Sequence, residues 1–264
     1  MGDIMNDIKV FNSTKIDGPM SSNKTFYKKE MSREEIIKDL RKRRIELGKK
    51  IGCDGTKMIV PHQNLSLHNE GHYEDVTERV IDLLFENPSY DLWDLDIPCD
   101  IMLIKSNLRG VAISYPVADC PVIILKTNDT IALSHSGAIC IDRLLPMQMV
   151  EVIKSVSNGE INAYIGPCGG DSYIYEEYPI WAKHDSWKYF IEDTQEGYKI
   201  NLKDAVKYQL ETMGIEDIRI SPIDTIIDER FYSNYAYKHG NDSKNGRFLV
   251  GAYFPKDKVK LKTR

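Results

Sequence analysis

The chain has 264 residues, 42% of them hydrophobic, enough to bury a sizeable core in one large domain or two small ones. No run of about 18 apolar residues occurs, and Met1 to Lys9 carries two Asp and no hydrophobic block, which argues against a membrane span or secretory signal and makes the cytoplasm the expected location. A net charge of -5 gives no overall pull on nucleic acid, and five widely spread cysteines without a CxxC pair argue against a disulfide framework or a closed structural zinc site.

In chain order, Ser32 with Glu35 forms a capping box, and Ile36, Leu40, Leu47 and Ile51 recur at helical spacing before a stop at Gly52. The basic block Arg41-Lys42-Arg43-Arg44 falls inside that helix beside acidic neighbours and reads as a solvated face. Lys57 to Pro61 reads as a short strand leading into His62-Gln63. The stretch 69–98 reads as an insertion or lid, with a helix near Val76 to Phe85. Ile101 to Ile104 and Val111 to Tyr115 are strand-like.

Ala118-Asp119-Cys120-Pro121 opens the most informative segment. Val122 to Leu125 and Thr130-Ile131 are β-formers, and Asn128-Asp129 between them can take a two-residue turn. With that turn, positions 122 and 135 lie opposite one another, and Cys120 faces the same way as His135, about 7–8 Å away across the diagonal. A slip of one residue in that register would turn one of the two side chains away. Downstream, Leu145 to Val156 is an amphipathic helix, and Ile161 to Ile165 is a strand running into Gly166-Pro167-Cys168-Gly169-Gly170. Asn201 caps a helix ending at Gly214, and Ile215 to Ser221 and Phe248 to Phe254 are the last strands. No repeat or Gly/Ser linker divides the chain, so a single α+β domain over 1–264 is expected.

A thiolate and an imidazole at the open end of one hairpin suit zinc, with one more donor from Cys168 or from His62, His68 and His72. An open zinc site lowers the pKa of bound water to about 7 and points to hydrolysis, deamination or displacement. The alternative on the same residues is cysteine nucleophilic catalysis with His135 as base. Taken singly, each of these residues is more often a buried thiol or a hydrogen-bonded histidine than a ligand.

Several short segments in one order give the chain a resemblance to the YfiH-like proteins, also called the laccase-domain or polyphenol-oxidase family. Ser13-Thr14-Lys15 resembles the family's S-T-R segment, Arg43-Arg44 with Leu47 its N-R-x-x-L helix, and Pro61-His62-Gln63 the strand before Q-V-H-G. Asp100 to Leu103 resembles A-D-A-L, Ala118 to Pro121 is similar to T-A-D-C-x-P, and His135-Ser136-Gly137 to the start of H-A-G-W-R-G. Ile165 to Cys168 matches I-G-P-C, Asn201-Leu202-Lys203 resembles D-L-K, Phe231-Tyr232-Ser233 F-x-S-Y-R-R, and Asn245-Gly246-Arg247 the closing T-G-R.

The resemblance implies a mixed sheet flanked by helices, and zinc rather than copper, because no His-rich set for a multi-copper cluster is present. It implies Cys120 and His135 as metal ligands, with His62, or His68 in its place, as the third. Cys120, His135 and Cys168 are then the catalytic candidates, and Gln63, Asp119 and Arg247 the substrate-binding ones. The implied activity is purine nucleoside processing, by phosphorolysis of adenosine or inosine or by adenosine deamination. The alternatives are a peptidoglycan-precursor editing amidase and a non-catalytic relative that binds a ligand or partner. The implied partner is a small molecule, with no nucleic acid and no membrane. The chain departs from the family pattern at Leu65, where a ligand histidine is expected, at Ala138 and Ile139 for Trp and Arg, and at Tyr235 and Ala236 for an arginine pair.

Overall fold

The structure is a computed structural model that describes residues 7–61, 72–242 and 244–256. His62, Gln63 and His68 lie outside the described residues. The elements in chain order are strand β1 (Lys9–Asn12), helix α1 (Arg33–Ile51), β2 (Met58–Ile59), β3 (Tyr73–Asp75), α2 (Thr77–Glu86), β4 (Ile101–Lys105), β5 (Ala112–Val117), β6 (Val122–Lys126), β7 (Thr130–His135), α3 (Ala138–Asp142), α4 (Leu145–Val156), β8 (Asn162–Ile165), β9 (Ile174–Tyr175), β10 (Ile191–Thr194), β11 (Gly197–Ile200), α5 (Leu202–Thr212), β12 (Ile218–Ile220), α6 (Asn234–Lys238) and β13 (Phe248–Tyr253).

Two sheets dominate: a six-stranded one in the order β12-β8-β6-β7-β4-β3 and a four-stranded one in the order β1-β13-β5-β2. Both mix parallel and antiparallel pairs. The period-two alternation along each strand dictates how they stack. Met102, Ile104, Val122, Ile124, Ile131 and Leu133 leave the larger sheet on one face and meet Ile113, Tyr115, Val117, Phe248 and Val250 of the smaller. The alternate residues Ile101, Leu103, Ile123 and Leu125 turn the other way, onto Met149, Val150, Ile153, Val206 and Leu210 of α4 and α5. On the far side of the small sheet, Met58, Leu249 and Tyr253 pack on Leu40 and Leu47 of α1. The result is four layers, helix, sheet, sheet, helices, an α+β architecture in which both sheets are buried on both faces. This explains why the central strands are continuous apolar runs; a fully buried Leu or Ile contributes about 1.5–3 kcal/mol.

The ends of α1 are the ones its sequence specifies. Ser32 Oγ accepts from Glu35 N (3.2 Å), Glu35 Oε2 accepts from Ser32 N (2.8 Å), and Gly52 closes the helix at φ 83°. Its basic block is not a uniformly solvated face. Arg44 is buried and donates through Nη1 and Nη2 to Asp91 (2.9 and 3.1 Å), with its guanidinium 4.3 Å from the Trp93 ring. Arg41 also reaches Asp91 (3.1 Å), and Arg43 pairs with Asp39 one turn away (2.5 Å). The residues from 72 to 98 supply β3, α2 and the buried side chains Val76, Val80, Leu92 and Ile97 of the inter-sheet core. A small third sheet, β10-β11-β9, stands beside α5. Among the described residues, no helix is long and apolar enough to cross a membrane.

Candidate functional site

The β6–β7 hairpin has the register that its Asn128-Asp129 turn demands: Val122 pairs with His135 and Lys126 with Ile131. Ser136 N donates to the Pro121 carbonyl (2.8 Å), extending the pairing past the strand ends toward Cys120. His135 therefore points into the layer between the sheets, with its ring 6.1 Å from that of Tyr115. Gly137 confirms the convergence: a Cβ there would lie 3.3 Å from Cys120 Sγ and 3.9 Å from His135 Nε2. Thiol and imidazole thus face one small space that the glycine leaves open.

Asp119 holds this end together. Its backbone is left-handed (φ 72°), a conformation that costs an L-residue and marks a position set by its surroundings. The buried carboxylate accepts from Thr225 Oγ1 (2.9 Å) and from the backbone N of Tyr235 (2.8 Å) near the start of α6, and its carbonyl accepts from Gly169 N (2.8 Å). Burial pushes the Asp119 carboxyl up, against the lowering effect of the donors from Tyr235, Ser233, Thr225 and Asn234. The loop carrying Cys168, the Thr225 loop and α6 are thereby fastened to the residue preceding Cys120.

Burial and the neighbouring Asp119 push the Cys120 thiol up to about 12, with Arg247 pulling the other way. Below that pH the thiol is protonated, so a metal ion has to displace the proton to bind sulfur. Burial lowers the Arg247 guanidinium from its usual value, and Cys120 and Asp119 oppose the change. Arg247 lies 4.8 Å from the Phe26 ring, and its Nη1 donates to the Gly246 carbonyl (2.7 Å) and Asn245 Oδ1 (3.4 Å). Among the described residues its Nε and Nη2 have no acceptor, which leaves that edge able to meet an anion. Cys168 is fully buried, its carbonyl accepts from Thr225 N (3.0 Å), and burial pushes its thiol up to about 12.

The structure thus brings Cys120 and His135 together at Gly137, ties the loop of Cys168 to Asp119 through Gly169 N, and lets the Arg247 charge act on Cys120. Cys120 and His135 fit as two zinc donors by chemistry and direction. Among the described residues no group of three His, Cys, Asp or Glu can hold a metal, so a complete site needs a donor from outside them. His62 and His68, the two candidates for that place, and Gln63 lie outside the described residues. All five cysteines are free thiols. Sequence reasoning missed the aromatic group behind Asp119, formed by Tyr173, Tyr175, Trp181 and Tyr235, although the density of Tyr and Trp from 173 to 190 signalled it.

Comparison with known proteins agrees with this architecture. The chain is 28% identical over 170 residues to a purine nucleoside phosphorylase of Campylobacter jejuni, covering 60% of this chain and 68% of that protein. Its fold matches YfiH of Bacillus licheniformis (TM-score 0.69, 17% identity, 94% of this chain and 93% of that one). It also matches YlmD of Geobacillus stearothermophilus (TM-score 0.70, 17% identity, 95% and 93%). The family model described as multi-copper polyphenol oxidoreductase laccase matches residues 49–253, most of the chain, and this protein belongs to that YfiH-like, laccase-domain family.

Proposed function

We propose that the protein is a zinc-dependent purine nucleoside phosphorylase acting on adenosine or inosine. The observation that carries this reading is the convergence of Cys120 Sγ and His135 Nε2 on the space at Gly137. The named activity of the Campylobacter jejuni relative supports it. In phosphorolysis a phosphate oxygen bonds to the anomeric carbon while the glycosidic C–N bond breaks. The electron pair leaves with the purine, which takes up a proton. Arg247 binds and orients the phosphate through two N–H groups, which partly compensates for the arginines absent at Ile139 and Tyr235. His135, like Cys120, would hold the metal through the atom that faces the mouth, so the proton taken up by the purine comes from solvent. Asp119 holds Cys120 and α6 in position, and Cys168, closed off from solvent, acts as a wall of the site. Zinc, when bound by Cys120, His135 and a third donor, supplies Lewis acidity at this mouth.

The test is the zinc-loaded protein with adenosine or inosine, with and without phosphate. Free base appearing only with phosphate is the expected result. Inosine formed from adenosine regardless of phosphate would establish deamination instead, and unchanged nucleoside in every arm would overturn both.

A further inference from the structure

Behind Asp119 lies a cleft of about 590 Å³ between the β9 region and α6, within the size range of small-ligand sites. Its walls are aromatic and nearly perpendicular. Tyr173 meets Tyr175 at 80° and Tyr235 at 68°, both at 5.2 Å between centroids, and Tyr175 meets Trp181 at 74°. The hydroxyls are committed elsewhere: Tyr173 and Tyr175 bond each other (2.8 Å), and Tyr235 donates to the Ile174 carbonyl (2.6 Å). What the rings offer a ligand is therefore apolar π surface, the kind on which a flat heterocycle stacks.

Charge narrows the ligand. Glu176 and Glu177 against Lys238 line the rim, a net negative balance that repels a phosphate while offering acceptors and a donor to ring nitrogens and exocyclic groups. The anion handle, Arg247, is not among the residues that line this cleft. The cleft and the Cys120 mouth are joined by one residue, since Asp119 accepts from Tyr235 N while preceding Cys120 in the chain. Tyr235 occupies the stretch where an arginine was expected, so a cation has given way to a ring stacked on His239 (centroids 4.0 Å apart).

Resting on the phosphorylase reading, we infer that this aromatic cleft is the recognition site for the base of the substrate, a purine-sized flat heterocycle, with Tyr235 and Tyr178 as its specificity-determining rings. Calorimetric titration of the whole protein with adenine, ribose and inorganic phosphate tests it. Adenine should bind and ribose should not. Tyr235→Ala and the exposed Tyr178→Ala should each weaken adenine about tenfold, while Arg247→Ala should weaken phosphate alone. Tyr178 is 47% exposed, so its truncation leaves the fold intact. Adenine affinity unchanged in both tyrosine variants, no adenine binding, or ribose bound as well as adenine would each overturn the proposal. Adenosine phosphorolysis with KM unmoved in Tyr178→Ala would sink the cleft and spare the phosphorylase reading. Adenine held by the cleft without turnover under any phosphate condition would do the reverse.

Discussion

The two ends of the β6–β7 hairpin are built from the same strands and have opposite chemistry. At the closed end, Thr127 Oγ1 and Thr130 Oγ1 donate to Asp129 Oδ1 (3.0 and 2.9 Å), and Ser157 donates to the same oxygen. Those bonds, led by the Ser157 hydroxyl, hold the Asp129 carboxyl below its usual value. At the open end, burial drives Cys120 and Asp119 up and Arg247 down, each toward its uncharged form. A turn needs only local hydrogen bonds, which the solvent-facing Asp129 collects from its neighbours. Of the open-end groups, the Cys120 thiol faces one space with the His135 imidazole and is available to a ligand that restores its charge, which is why the mouth rather than the turn is the candidate for chemistry.

The sharpest way to break this contrast is His135→Ala. Removing one of the two metal donors should cut phosphorolysis by about 10²-fold and lower bound zinc with it, while moving the stability of the metal-free protein by only about 1 kcal/mol, measured by steady-state kinetics, metal analysis and urea unfolding. A comparable loss of activity and of that stability would make His135 a structural residue.

The thiol gives the next effect. With Cys120 neutral up to about 12, metal-free protein at pH 8 should be alkylated there by iodoacetamide at least about tenfold slower than an ordinary cysteine, with the rate climbing as pH rises. Peptide mass spectrometry reads this directly, and fast labelling at pH 7 would show the thiolate already formed.

Asp119→Ala strands the Tyr235 amide and the Thr225 hydroxyl, and should cost about 2–3 kcal/mol of unfolding free energy and weaken activity with it. Asp129→Ala at the other end should cost about 1 kcal/mol and leave activity alone. Because the Asp129 carboxyl lies low in the folded state, its contribution is present above the ordinary carboxylate range and lost as pH falls through the folded value. Wild type and Asp129→Ala should therefore converge in stability in acid.

The hairpin and α1 were legible because each carries local instructions: a polar pair between β-branched runs, and a capping box with a glycine stop. The small sheet of β9, β10 and β11 was not, since strands of two to four residues with mixed polarity give no usable period. Helices α3 and α6, five residues each, escape for the same reason. Strand β1 depends on β13, more than 200 residues away, and nothing local announces such a partner. Arg44 was misread because a guanidinium in a basic run looks solvent-facing until its partner, Asp91, is brought back against it by tertiary structure. In the site, Cys120 and His135 followed from turn geometry, whereas Arg247 was reached only through family resemblance.

The pairing of Lys9–Asn12 with Val250–Tyr253 sets a clock on the molecule. During synthesis at roughly 5–20 residues per second, β1 has no strand to join until about 240 further residues have been made, a wait of roughly ten to fifty seconds. Arg247 immediately precedes the same strand β13, so it too is made only in that last stage. A ribosome-bound chain can already hold the hairpin, yet Arg247 and the partner of the first strand are made together, at the end of that wait.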